Sequence, residues 1–244
     1  TPLEALLRQR VPFGNDVNPL SAMLVRPRLA PPTQAAIDAR LDELRLDDAP
    51  PLEPALADDL EPFFHADTRR ELCALREHLL RGERQGGLDP VDGWLRMVAV
   101  NRLTGHSPGF FSVYTLPPNQ ATSPAAQRRI NTKRNQTPPR RDVRAILRKK
   151  SRALLQDVLP LWRRDADALA RRAVLGAGPA AAMPAFADAS VDLVVTSPPF
   201  LDVVDYAADN WLRCWFCGID ASAVPISLLR TPAGDPPRGT FNNC

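Results

Sequence analysis

The segment from Val191 to Phe200, with the sequence VDLVVTSPPF, constrains the fold of this chain more than any other stretch. Val191 to Val195 is a short apolar run rich in β-branched side chains, which predicts a strand buried on both faces of a parallel sheet. Pro198 and Pro199 remove two backbone donors and fix φ twice, so the strand is expected to end before them. Open parallel sheets bind ligands beyond the carboxyl ends of their strands. We therefore expect the Ser-Pro-Pro-Phe that follows to be a binding segment.

The bulk composition is that of a soluble globular protein, with 44% hydrophobic and 24% charged residues among 244. No apolar run reaches the ~18 residues of a membrane span, and no signal peptide is recognised. The four cysteines are unevenly spaced and predict no disulfide framework, so a cytoplasmic location is the default expectation. The three histidines lie far apart, and the pair Cys214 and Cys217 has no second pair to complete a zinc site. We predict no metal site.

The net charge of +3 conceals a strong asymmetry along the chain. Between Asn119 and Arg152 there are eleven Lys or Arg residues and a single acid, Asp142. The remainder of the chain is therefore negatively charged. A basic block of this size favours an anionic partner, although a solvated helix face beside a disordered loop is the commoner explanation of basic runs.

Residues 3 to 29 predict a helix, a short strand ending at Asp16, and a second helix after Asn18-Pro19. This order is typical of part of a nucleotide-binding βαβ unit. An acid at the end of such a strand can accept hydrogen bonds from ribose hydroxyls. Asp16 could equally be a turn or helix-capping residue, and the residues alone do not decide between the two.

Residues 31 to 170 predict a mostly helical insertion. Thr33, Asp89 and Asp142 are expected to precede helices, and Thr68 with Glu71 has the spacing of a capping box. Residues 127 to 136 have almost no apolar face and predict an exposed loop interleaved with Asn and Gln. A further strand is expected from Ala173, where Gly176 and Gly178 form too weak a pattern to indicate a cofactor loop.

The segment from Val191 to Phe200 resembles motif IV of the amino-group DNA methyltransferases, which methylate N4 of cytosine or N6 of adenine. Residues 14 to 19 match a second motif of that family, G-x-D-x-N-P. The residues after Phe200 also fit the family, namely Asp205-Tyr206, Trp211-Leu212-Arg213 and Gly218.

The chain departs from the family in three places. The Gly-rich turn of the cofactor site is not found and would be expected before Thr1, and the family's later strands do not occur before Cys244. The resemblance therefore implies a fragment of such an enzyme. Ala177 stands where the family often has an acid near the cofactor adenine, so either Asp188 substitutes for it or the contact is missing.

The resemblance implies a role for each matched position. The hydroxyl of Ser197 and the carbonyl of Pro198 would accept hydrogen bonds from the target amine, and Phe200 would stack on the flipped base. The implied catalytic residues are Ser197, Pro198, Pro199 and Phe200. The implied cofactor is S-adenosylmethionine, with Asp16, Asn18 and Thr196 in its site. The Ser-Pro-Pro sequence leans towards cytosine N4 as the target.

The implied partner is double-stranded DNA with its target base flipped, and a restriction endonuclease would be a further partner of such an enzyme. We expect the basic block to contact DNA because Lys and Arg neutralise phosphates, while Arg, Asn and Gln can also pair with base edges. The residues expected to do so are Arg128, Arg129, Lys133, Arg134, Arg140 and Arg141.

The predicted fold class is α/β, a partial Rossmann-like methyltransferase sheet interrupted by a mostly helical insertion. Residues 1–30 and 171–244 would form the methyltransferase part, and residues 31–170 the insertion. Two alternatives remain open. One is an RNA or protein amide methyltransferase, which Ser197 disfavours because those relatives carry Asp or Asn before Pro-Pro. The other is a non-catalytic nucleic-acid-binding relic.

Overall fold

The computed structural model describes residues 1–115, 122–156, 158, 168, 171–196 and 206–224. Two short strands, β1 (Phe13–Asp16) and β2 (Val174–Ala177), pair in parallel. Phe13 lies opposite Val174, and Asp16 lies opposite Ala177. The predicted α/β class is confirmed at this level, as a mostly helical chain with a small parallel sheet.

Nine α-helices surround or extend from this strand pair among the described residues. They are α1 (Pro2–Leu7), α2 (Pro19–Leu29), α3 (Gln34–Glu43), α4 (Pro54–Leu60), α5 (Ala66–Arg84), α6 (Pro90–Val100), α7 (Pro124–Arg134), α8 (Val143–Leu155) and α9 (Tyr206–Cys217). A short 3₁₀ helix, Ala221–Ala223, follows α9.

Asn, Asp or Thr side chains cap the starts of four α-helices. The side chains of Asn18, Thr33, Asp89 and Asp142 each accept a hydrogen bond from a backbone amide two or three residues further on, at 2.8 to 3.2 Å. These amides have no partner inside the helix, so each cap satisfies a donor that would otherwise be lost. The helix starts predicted at Thr33, Asp89 and Asp142 are confirmed.

The main hydrophobic core lies around α6, which is buried along most of its length. Trp94 of α6 donates its indole N–H to the hydroxyl of Ser151 of α8, a buried bond of 2.9 Å. Leu20 of α2 and both Leu212 and Phe216 of α9 belong to the same core. The helices on either side of the insertion in sequence therefore pack directly on the insertion.

A smaller apolar cluster supports the strand pair. Leu6 of α1 and Leu29 of α2 are buried there, with Val25, Ala173 and Leu175 packed against them. The cluster joins the first helix, the second helix and β2, so the sheet is held from one side by α1 and α2.

The capping box predicted at Thr68 and Glu71 is wrong. Helix α5 begins two residues earlier, at Ala66, and the ring of His65 accepts a hydrogen bond from the amide of Asp67 at 3.2 Å. Thr68 is buried inside the helix, and its hydroxyl accepts from the amide of Arg141 at 2.7 Å. Glu71 accepts from the amide of Val143 at 3.2 Å. Both side chains bind a distant segment instead of their own helix end.

The loop predicted over residues 127 to 136 is also wrong, because most of it forms α7. Ser123 caps this helix by accepting from the amide of Ala126 at 3.2 Å, and Pro124 occupies its first position. Asn135 ends it with a left-handed φ of 47°. A weak apolar pattern misled the prediction, since the buried face of α7 is built from amide side chains.

The predicted buried strand over Val191–Val195 is not formed. No strand is assigned between residues 191 and 196, and Leu193, Val194 and Val195 are 78%, 76% and 67% exposed. β1 and β2 pair with each other, so this run has no strand partner among the described residues. A β-branched run becomes a strand only when a neighbour satisfies its backbone groups and covers its side chains.

Helix α8 offers a matched test of the core. Leu147 is fully buried, whereas Leu154 is 38% exposed. We expect Leu147→Ala to lower the free energy of unfolding by about 2–5 kcal/mol, because it leaves a cavity. Leu154→Ala should change it by less than about 1 kcal/mol. Urea denaturation followed by circular dichroism measures both, and equal losses would contradict this packing.

Candidate functional site

The candidate site lies at the carboxyl edge of the strand pair, where β1 ends at Asp16 and β2 ends at Ala177. The amide of Gly178 donates to the carbonyl of Asp16 at 2.9 Å, which extends the pairing one residue past β2. Asn15 donates its side-chain amide to the carbonyl of Gly178 at 2.8 Å. These two bonds fix the chain directions beyond both strand ends.

Gly176 is required by this arrangement. A Cβ at this position would lie 2.7 Å from Oδ1 of Asn15, closer than such atoms approach. The Asn15 side chain can therefore cross to Gly178 only because residue 176 has no side chain. The glycine serves the strand pairing, which agrees with the prediction that this Gly-x-Gly is not a cofactor loop.

The carboxylate of Asp16 is exposed and held in one orientation. Its Oδ1 accepts from the amide of Asn18 at 2.9 Å, and its Oδ2 accepts from the hydroxyl of Ser21 at 2.7 Å. Asp16 therefore stabilises the turn after β1, which is one of the two roles predicted for it. Each carboxylate oxygen has two acceptor positions, so one remains on each oxygen for an incoming hydroxyl.

Asn18, predicted to bind the cofactor, has both ends of its amide engaged inside the protein. Its oxygen caps α2 by accepting from the amide of Leu20 at 2.9 Å. Its side chain also hydrogen-bonds the thiol of Cys214 in α9. Burial raises the pKa of the Cys214 thiol, and the bond to Asn18 opposes that rise. Asn18 thus lies between α2 and α9 and keeps one acceptor and one donor position of its amide for a ligand.

The segment after β2 folds back against β1. The ring of Phe186 stacks on that of Phe13, with 5.3 Å between the centroids. Asp188, the acid considered as a replacement at the adenine contact, is exposed in this segment, and Thr196 is exposed at its end. The predicted catalytic residues Ser197, Pro198, Pro199 and Phe200 lie outside the described residues.

Several of the cations predicted to bind DNA already form contacts inside the protein. Arg128 pairs with the carboxylate of Asp58 at 2.9 Å, and Arg140 lies 3.5 Å from Glu71. The guanidinium of Arg134 lies 3.8 Å from the centroid of the Tyr114 ring. The backbone of Arg141 is held by Thr68.

Arg129 and Lys133 remain accessible on α7. Both are exposed, and neither forms an ion pair with any of the described residues. They are four residues apart on the helix and so share a face. Of the six predicted cations, these two fit a phosphate contact best.

Three of the amide side chains in the basic block, those of Gln127, Asn131 and Gln136, form hydrogen bonds inside the protein. Gln127 and Gln136 both donate to the carbonyl of Tyr114 at 3.0 Å. Asn131 donates to the carbonyl of Pro62 at 2.7 Å and accepts from both glutamines at 2.8 Å. This network satisfies backbone carbonyls beneath the helix, and its members face away from any external partner.

The charge asymmetry of the sequence is partly neutralised within the fold. Arg148 of α8 pairs with Asp38 at 3.0 Å and with Asp42 of α3. Together with the pairs of Arg128 and Arg140, this shows basic α7 and α8 lying against acidic α3, α4 and α5. Part of the anionic partner indicated by the basic block is therefore the chain itself.

A second cationic group includes residues that the sequence pattern did not indicate. Lys150 interacts electrostatically with both Arg102 and Arg28, although the three residues are far apart in sequence. Only Lys150 belongs to the basic block. No local run marks such a group, because only the packing of α2, α6 and α8 brings its members together.

The cysteine pair in α9 is buried. Burial raises the pKa of Cys217 to about 12 and that of Cys73, in α5, to about 11. Within the described ranges, no group of three or more His, Cys, Asp or Glu side chains is arranged to hold a metal ion.

Comparison of the chain with known protein families, with curated proteins and with solved structures gave no match. None of the helices in the described ranges is long and apolar enough to span a membrane.

The buried thiols yield a direct prediction. A raised pKa leaves almost no thiolate at pH 8, and the thiolate is the reactive form. We expect Cys217 and Cys73 to remain unmodified by iodoacetamide at pH 8 in the native protein and to react rapidly in urea. Peptide mass mapping measures both states. Native labelling of Cys217 as fast as in urea would show that α9 is not packed on the helical body.

Proposed function

We propose that this chain belongs to an S-adenosylmethionine-dependent DNA methyltransferase that acts on an exocyclic base amine, with a Rossmann-like sheet. The observation that carries the proposal is the exposed Asp16 carboxylate at the carboxyl edge of a parallel strand pair. A helix follows it at once, and the chain later supplies Thr-Ser-Pro-Pro-Phe. Each feature occurs separately in unrelated proteins, whereas their combination in this order is typical of that family.

The residues around Asp16 suit the ribose end of the cofactor. Two free acceptor positions on a fixed carboxylate match two neighbouring hydroxyls. The adenine end has weaker support, because Ala177 offers no acceptor and Asp188 is exposed in the following segment. When bound, S-adenosylmethionine would supply an electrophilic methyl group.

The chemistry requires positioning more than a reactive side chain. The lone pair of a base amine is delocalised into the ring, so the amine is a poor nucleophile. Acceptors such as the Ser197 hydroxyl and the Pro198 carbonyl would draw its hydrogens into place and favour tetrahedral nitrogen. Pro199 would keep this segment rigid. Such preorganised acceptors provide most of the rate when no covalent intermediate forms.

The target atom lies inside the duplex, so the base must be flipped out and held. Phe200 would provide the ring face for stacking, which is worth about 1–3 kcal/mol per base. We expect Phe200→Ala to abolish methyl transfer and Phe200→Tyr to retain it, because tyrosine preserves the ring face. Transfer of labelled methyl groups to DNA by the natural full-length protein measures both. Retained activity in Phe200→Ala would contradict this role.

Asp16 and Ser21 form a matched pair that separates cofactor binding from turn formation. Asp16→Asn removes the charge that would bind ribose, and we expect about a 10-fold or greater loss of S-adenosylmethionine affinity. Ser21→Ala removes only the internal bond of 2.7 Å to Asp16 and should weaken affinity far less. Isothermal titration calorimetry of the full-length protein measures both. Equal losses, or no loss in either, would leave Asp16 as a turn residue alone.

A non-catalytic nucleic-acid-binding protein is the second candidate function. The observations that favour it are Ala177 opposite Asp16 and the internal bonds that Asp16 and Asn18 already form. Such a protein would bind DNA with unchanged affinity when S-adenosylmethionine is added, and would transfer no methyl group.

A further inference from the structure

The cationic group of Arg28, Arg102 and Lys150 is built by the packing of three helices. Pro27 of α2 contacts α6 at Gly93, where an added Cβ would lie 3.8 Å from the Pro27 ring. The next residue of α6, Trp94, bonds Ser151 of α8. Arg28 follows Pro27 in sequence, and Lys150 precedes Ser151. Arg28 and Lys150 therefore belong to two helices that both pack against the Gly93–Trp94 part of α6.

Arg102 follows the end of α6 and is held in a fixed pose. Its guanidinium carbon lies 4.0 Å from the centroid of the Phe110 ring, and its Nε donates to the carbonyl of Asn101 at 2.7 Å. Phe110 in turn covers Gly105, where a Cβ would come within 2.4 Å of the ring. Stacking and the Nε bond leave both Nη groups of Arg102 without a hydrogen-bond partner among the described residues. A guanidinium held in this way can donate to a phosphate with little loss of freedom.

The three cations lack acidic partners within the described part of the chain. Arg28 is exposed, whereas Lys150 and Arg102 are half-buried. Burial lowers the pKa of Lys150 first, and the charges of Arg102 and Arg28 lower it further. Burial also lowers the pKa of Arg102, with no carboxylate to oppose it. Like charges in a partly desolvated place repel one another, and a bound anion would relieve that repulsion.

We propose that Arg28, Arg102 and Lys150 form a site for the phosphate backbone of DNA. This inference rests on the proposed function and extends it, because it places the backbone contact on the α2–α6–α8 surface, outside the predicted set. Contacts of this kind fix the position of a protein on the duplex without reading sequence. We favour DNA over an anionic membrane because the proposed function requires contact with the phosphate backbone, and binding to a membrane is one outcome of the test below.

The test is the salt dependence of binding to a labelled 30-base-pair duplex without cofactor, measured by fluorescence anisotropy on the full-length protein. The logarithm of the binding constant falls against the logarithm of salt with a slope of about −0.9 for each neutralised phosphate. We expect the triple variant Arg28→Gln, Arg102→Gln, Lys150→Gln to reduce the slope by about 2 to 3 and to weaken binding at least 10-fold at low salt.

The matched control removes the same charge from cations that are already paired. Arg128→Gln, Arg140→Gln, Arg148→Gln loses three positive charges whose partners are Asp58, Glu71 and Asp38. We expect its slope to change by less than 1. Circular dichroism melting of both variants checks that each remains folded under the binding conditions.

Equal salt-dependence slopes for the two triple variants would overturn the site, because the loss of binding would then follow from the change in net charge alone. No binding to DNA by the parent protein, or equally tight binding to phosphatidylserine vesicles, would overturn it as well. A separate methyl-transfer assay distinguishes the two proposals. DNA binding that depends on Arg28, Arg102 and Lys150, without methyl transfer, would refute the proposed enzyme activity but support the phosphate site. Transfer with unchanged slopes would refute the site and leave the enzyme.

Discussion

The burial of α6 is the constraint on which the rest of this structure depends. Pro27 of α2 lies beside its Gly93, and its Trp94 donates a hydrogen bond to Ser151 of α8. Because α9 also packs on this core, α2 and α9, which lie on either side of the insertion in sequence, are both anchored to it. The sheet edge with Asp16 is therefore positioned by helices that come between its two strands in sequence.

Local chemistry made much of this fold predictable. Asp89 and Asp142 cap their helices by bonds that span two or three residues, and β1 and β2 follow from short apolar runs beside turn residues. Thr68 and Gln127 could not be predicted in this way, since their partners, Arg141 and Tyr114, are set by tertiary packing. Equally, a β-branched run does not reveal whether a neighbouring strand is present to cover it, as the exposed run at 191–195 shows.

Charge was the least reliable guide to the candidate site. The basic block predicted contact with an external anion. In the structure, Arg128, Arg140 and Arg148 instead pair with acids of α3, α4 and α5. Exposed ion pairs of this kind each contribute little stability, but they remove these cations from the set that can meet a ligand. The cations without an acidic partner among the described residues indicate a ligand contact better than the total charge does, and two of them, Arg28 and Arg102, lie outside the basic block.

The proposed reaction transfers a methyl group to a base amine of DNA. To test it, the natural full-length protein is incubated with methyl-labelled S-adenosylmethionine and duplex DNA, and the DNA is then digested to nucleosides for mass spectrometry. We expect label in N4-methylcytosine or N6-methyladenine. Label only at carbon 5 of cytosine, only in RNA or protein, or in no product at all would contradict it.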